Sequence, residues 1–215
     1  MIRTDLKHCI MNIRSAVFTV SSQKLEQCPK DSLPEFAFIG RSNVGKSSLI
    51  NLLTDRPGLA KVSATPGKTR LINHFKIDGA WYLVDLPGYG YARVSKDQRG
   101  AFSRLITDYV LQRENMVSLF VLIDSRLEPQ KIDLEFIQLL GEQGVPFSLI
   151  FTKCDKQSAD KTSSNIARFA RVLRETWSEL PPVFRTSSEK RQGREEILDY
   201  IGECLEIWYR EHKIG

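Results

Sequence analysis

The sequence predicts a three-layer α/β domain, a mostly parallel sheet with helices on both faces. Three observations predict it. Short apolar runs of strand length alternate with longer segments of helical period along most of the 215 residues. The segments between runs are long enough for βαβ crossovers, which set neighbouring strands parallel. A single Asp78-Gly79 pair joins two alternating runs and predicts one hairpin, hence one antiparallel pair.

The elements follow in order. Ala16 to Val20 reads as the first strand, and a polar segment from Ser21 to Leu33 leads to a buried strand, Phe36 to Ile39. Ser48 to Leu53 is the first helix. Asp55 to Arg70 is rich in Pro, Gly, Ser and Thr, lacks any period and predicts a mobile loop. Strands are expected at Leu71–Ile77, Trp81–Val84, Val117–Ile123, Phe147–Phe151 and Val183–Phe184, and helices at about 97–113, 130–142, 160–176 and 193–210. The domain is expected to span 15–210, with a flexible N-terminus over 1–14 and a tail over 211–215.

Composition narrows the class. Hydrophobic residues at 41% and charged residues at 27% are globular values. No apolar run is long enough to span a membrane, and no apolar block resembles a secretory signal. Cys9, Cys28, Cys154 and Cys204 are scattered, which fits reduced thiols in a cytoplasmic protein better than a disulfide frame or zinc site. The net charge of +5 permits contact with nucleic acid. For single clusters, such as Lys190 and Arg191 with Arg194, or Lys96 with Arg99 and Arg104, a solvated helix face is the commoner explanation.

The chemistry starts at Gly40-Arg41-Ser42-Asn43-Val44-Gly45-Lys46-Ser47, which fits G-x-x-x-x-G-K-[ST] between a strand and a helix. Its glycines let backbone N–H groups turn onto phosphate oxygens, at a helix N-terminus that favours anions. Lys46 is placed to reach β- and γ-phosphates and Ser47 to ligate Mg²⁺, with Ser48 beside them. Asp85-Leu86-Pro87-Gly88 follows an apolar strand and fits D-x-x-G: the carboxylate would hold Mg²⁺ through water, and the Gly88 N–H would meet the γ-phosphate. Thr152-Lys153-Cys154-Asp155 resembles the [NT]-K-x-D motif that reads guanine. Adenine lacks the donor pair that Asp155 would accept, and an unmade buried bond to a carboxylate is costly. Thr186-Ser187-Ser188 matches the last base-contact loop by position. In Thr65-Pro66-Gly67-Lys68-Thr69-Arg70 a switch threonine is expected, and Thr69 is favoured because it adjoins the strand from Leu71.

Taken in order, these motifs look like a translation-factor-type P-loop GTPase of the TRAFAC class, with a small GTPase-like fold. The strings GRSNVGKSSLIN, TPGKTRLINHF, DLPGYGYA and TKCD resemble the EngB family (also called YihA or YsxC), from about Ser15 to Trp208. That resemblance implies bacterial GTPases acting in assembly of the large ribosomal subunit and in normal cell division and septation. It implies GTP or GDP contacts from Gly40 to Ser48, Gly67 to Leu71, Asp85 to Gly88, Thr152 to Asp155 and Thr186 to Ser188. It implies Mg²⁺ on Ser47 and Thr69, with Asp85 near. The expected partner is a precursor of the large subunit, its RNA and proteins, met by a monomer and not by a membrane.

Two positions bear on mechanism. Tyr89 stands where a glutamine would orient the attacking water, so slow intrinsic hydrolysis is expected. In related GTPases an asparagine at the position of Asn43 ligates K⁺ beside the phosphates, which supplies transition-state charge. Asn43 either does this or pins the loop by a hydrogen bond. Lys46, Thr69, Gly88 and Asn43 are thus the candidate catalytic residues. A protein-binding regulator of division without ribosome contact is the alternative. A small ATP-dependent kinase would need a second catalytic base and an acceptor domain, and neither is found.

Overall fold

The structure, a computed structural model, describes residues 11–61, 71–89 and 96–212, with backbone alone over 96–103. Among the described residues seven strands form one sheet: β1 (Ala16–Ser22), β2 (Glu35–Gly40), β3 (Ile72–Ile77), β4 (Trp81–Asp85), β5 (Met116–Asp124), β6 (Phe147–Thr152) and β7 (Val183–Arg185). Five α-helices accompany them among the same residues: α1 (Lys46–Thr54), α2 (Lys96–Gln112), α3 (Lys131–Glu142), α4 (Ala159–Leu173) and α5 (Arg194–Glu211). The spatial order is β1-β3-β4-β2-β5-β6-β7. Pairs from β4 to β7 are parallel, and β3 alone runs against the rest. The hairpin gives the expected antiparallel pair of β3 with β4, and β1 also pairs with β3, which adds a second antiparallel pair to the same reversed strand.

Alternation along the strands sorts the core into two layers. Phe36, Phe38, Phe120 and Leu122 face α1 and α5, meeting Leu49, Leu53, Ile197 and Ile201. Ala37, Ile39, Leu119 and Val121 face the other helices, meeting Tyr109, Ile137 and Phe169. The central strands are buried on both faces, which is why they read as unbroken apolar runs. Stacked rings at Phe38 and Phe120, 4.8 Å apart, fill the first layer under the phosphate loop.

Met11 and Ile13 lie against the α5 layer, and the Arg14 and Ser15 N–H groups donate to Asp78. Two expectations need correction. The fourth helix stops at Leu173 because the following turn swings Trp177 back onto Phe147 and over Gly141, where no Cβ would fit. The cluster at Lys190 to Arg194 is partly spent internally. Arg194 donates to the Leu52 and Leu53 carbonyls at the end of α1, and Arg191 pairs with Asp55. Lys96 and Arg99 carry no described side chain.

At the N-terminal edge of the sheet Glu35 is fully buried. It accepts from Arg113 at 2.6 Å and Tyr109 at 2.6 Å, with His74 Nε2 3.4 Å away. Burial alone would raise this carboxyl, but His74 and Arg113 outweigh it and hold it at about 2. The network ties the end of α2 to β2 and β3, at the edge remote from the motifs.

Candidate functional site

The motifs collect at the opposite edge, outside the carboxyl ends of β2, β4, β5, β6 and β7, where open parallel sheets bind ligands. The edge opens at β2, from which the sheet grows in both directions. Gly40 ends β2, and a Cβ there would lie 2.9 Å from Leu122 Cβ and from Val44 Cγ1, so only glycine lets the loop start so close to β5. Asn43 (φ 60) and Gly45 (φ 107) are both left-handed. Their turns make the backbone concave at the head of α1, whose first N–H groups have no partner within the helix. Arg41, Ser42, Ser47 and Ser48 are half-buried around this concavity and Asn43 is exposed.

Asp85 closes β4 in register with Phe38, and the Leu86 N–H donates to the Phe38 carbonyl at 3.0 Å. This carries Leu86, Pro87 and Gly88, all buried, alongside the phosphate loop. Lys46 Nζ touches the Asp85 carboxylate. Burial alone pushes the ammonium down to about 7, and the carboxylate against it opposes that and favours the charged form. Tyr89 turns towards α3: its hydroxyl donates to Asp133 Oδ1 at 2.9 Å and its ring stacks on Phe136 at 4.6 Å. Arg41 lies 3.9 Å from the other Asp133 oxygen. Burial and the neighbouring Asp133 push the phenol well above its ordinary range.

Thr152 ends β6, and its hydroxyl donates to the Val44 carbonyl at 2.6 Å. The threonine hydroxyl thus ties this loop to the phosphate loop. Lys153 (φ 59) reaches the Asn43 carbonyl at 2.6 Å and Asp124 at 2.9 Å. The Cys154 N–H donates to the Thr186 carbonyl at 3.1 Å, and the Thr186 N–H donates to Phe151 at 2.7 Å. Asp155 is half-buried, and the neighbouring Ser187 hydroxyl and, less, the Lys156 ammonium 3.4 Å away lower its carboxyl. Ser188 sits half-buried next to it. Two separate loops therefore converge on one carboxylate.

Gly67, Lys68, Thr69 and Arg70 lie outside the described residues, as does Thr65, and Leu71 is half-buried just before β3. Among the described residues no cluster of three or more His, Cys, Asp or Glu side chains offers a metal site. Asp85 and the Ser47 hydroxyl instead form a sparse set of hard oxygen donors. That suits Mg²⁺, which keeps most of its waters and takes one or two protein ligands beside phosphates.

Sequence reasoning did not single out Asp124, Arg126 or Asp133. Asp124 had a signal, a carboxylate ending a buried parallel strand at the ligand edge. Arg126 and Lys153 hold it at about 2 although burial opposes this. Asp133 had none, because its partners Tyr89 and Arg41 are distant in sequence.

A family model described as 50S ribosome-binding GTPase matches residues 35–153. The chain is 63% identical over 191 residues to the probable GTP-binding protein EngB of Phocaeicola vulgatus, covering 89% of this chain and 96% of that one. It is 61% identical to the counterpart from Porphyromonas gingivalis, covering 89% and 95%. A crystal structure of a probable GTP-binding protein EngB, 23% identical, covers 80% of this chain and 98% of its own with a TM-score of 0.62, which speaks for the fold. Identity of this extent over nearly the whole of both chains places the protein in the EngB family of GTP-binding proteins, with a GTPase domain matched over residues 35–153.

Proposed function

We propose that this protein is a GTP-hydrolysing switch that acts in assembly of the large ribosomal subunit and is needed for normal division and septation. One observation carries the guanine assignment: the loop that bears Asp155 is fastened to the phosphate loop by Thr152 and Lys153 and to the Thr186 loop by the Cys154 N–H. Gly40 to Ser48 would cradle the phosphates, Thr186 to Ser188 would close the base pocket, and Lys46 would leave Asp85 for the β- and γ-oxygens. Ser47, with Thr69 and with Asp85 through water, would hold Mg²⁺, which supplies charge neutralisation at the phosphates. Water attacks the γ-phosphorus and the bond to the β-phosphate oxygen breaks, giving GDP and phosphate. With Tyr89 engaged by Asp133 and Phe136, no side chain at that position orients the water, so a slow intrinsic rate fits. The Gly88 N–H would report the γ-phosphate to the segment that follows.

The ribosomal role is supported by the description of the matching family model. Co-sedimentation with large ribosomal subunits tests it. Retention with a non-hydrolysable GTP analogue and release with GDP is expected. Equal sedimentation in both states would overturn it. Displacement of labelled GTP by ATP at similar concentration would overturn the choice of guanine.

A further inference from the structure

Lys153 is the residue whose stem would lie along the base, yet its own loop does not fix it. Its ammonium has two acceptors, the Asn43 carbonyl at 2.6 Å and the Asp124 carboxylate at 2.9 Å. Asp124 is the last residue of β5, paired in register with Thr152, and it is buried. Arg126 braces the same carboxylate, with Nε on one oxygen at 2.9 Å and a terminal nitrogen on the other at 2.8 Å. The next residue, Ser125, donates its N–H to the Thr152 carbonyl at 3.1 Å. Its own carbonyl accepts from Gln157 and Asn165, each at 2.9 Å, and so fastens the start of α4. One turn after β5 thus grips both sides of the loop from Thr152 to Asp155.

We propose that Asp124 is a positioning residue for guanine nucleotide binding, its carboxylate holding the Lys153 ammonium against the Asn43 carbonyl before nucleotide arrives. The inference rests on the reading of Thr152 to Asp155 as the base loop. A backbone carbonyl alone is a neutral acceptor, and a carboxylate gives the ammonium a charge-assisted bond. A lysine fixed in advance has less rotamer freedom to lose when the base docks, so the nucleotide binds more tightly and leaves more slowly. Arg126 instead orients Asp124 from the outer side, with its own side chain 44% exposed, and does not touch Lys153.

The test measures affinity and release of fluorescent GDP for the full chain and for Asp124→Asn, Lys153→Met, the double variant and Arg126→Met, with a nucleotide-free melting curve for each. Asp124→Asn should weaken GDP about tenfold, mainly through faster release. In the Lys153→Met background the same change should cost less than about twofold, because its target is gone. Arg126→Met should stay within about threefold of the parent. Asp124→Glu serves if the Asn variant does not fold: its displaced carboxylate should give an intermediate loss that also vanishes with Lys153→Met. Multiplying losses in the double variant would overturn the proposal, as would an Arg126→Met loss equal to that of Asp124→Asn. A parent chain that fails to prefer GDP to ADP would overturn the base-loop reading itself, and this inference with it.

Discussion

Replacing Thr152 by valine probes the tie between the base loop and the phosphate loop. The two side chains have the same shape, so packing at this buried position is kept and only the hydroxyl is lost. That hydroxyl has one proton, and the Val44 carbonyl at 2.6 Å takes it in preference to the Ile123 carbonyl at 3.3 Å. The substitution leaves the Val44 carbonyl facing a methyl group, which should cost about 1–3 kcal/mol in folding. Val44 sits between the left-handed Asn43 and Gly45, so loosening its carbonyl loosens the concavity that would receive phosphate. A loss of that size confined to the loop would weaken GDP about tenfold or more. Urea unfolding of the nucleotide-free protein and titration with fluorescent GDP read the two effects. Thr152→Ser, which keeps the hydroxyl, should bind GDP more tightly than the valine variant. A valine variant with the parent's urea midpoint and GDP affinity would refute the reasoning, as would a serine variant that loses as much.

Other measurements follow from the same contacts. Holding buried Glu35 at about 2 instead of its ordinary 4.5 is worth about 3 kcal/mol. Its pKa is depressed on folding, so this stability is complete above the unfolded value and lost as pH falls towards 2; Glu35→Gln should flatten that acid limb in urea midpoints while lowering stability at neutral pH. Arg194→Ala should lower stability by about 1–3 kcal/mol in thermal unfolding, because it frees the carbonyls at the end of α1, whereas exposed Lys190→Ala should leave it unchanged. Tyr89→Phe should cost about 1 kcal/mol in the same assay by removing the bond to Asp133. If Asn43 ligates potassium, GTP turnover should be faster in KCl than in NaCl at equal ionic strength, and equal rates would favour the loop-pinning role.

The elements that carry the nucleotide motifs were legible because their signals are local. A phosphate loop is written in consecutive residues between an apolar strand and a helix, and so is a carboxylate two residues past a lysine after β6. Parallel order was legible from spacing alone. What could not be read was set by contacts across the sheet. Nothing near Ser21 says that β1 lies against β3, since the register is fixed by packing on the far side of the hairpin. Lys190, Arg191 and Arg194 look like a free basic patch in sequence, and only the fold brings the last two to Asp55 and to the end of α1. Tyr89 is the sharpest case. By position it raises a question of catalysis, but its side chain answers one of architecture, because Asp133 and Phe136 on α3 take it up. Asp133 also faces Arg41 of the phosphate loop, so the residue after D-x-x-G and the loop that would hold the phosphates share one buried carboxylate. Movement of Tyr89 would therefore be felt at Arg41 through that carboxylate, a coupling that no single motif contains.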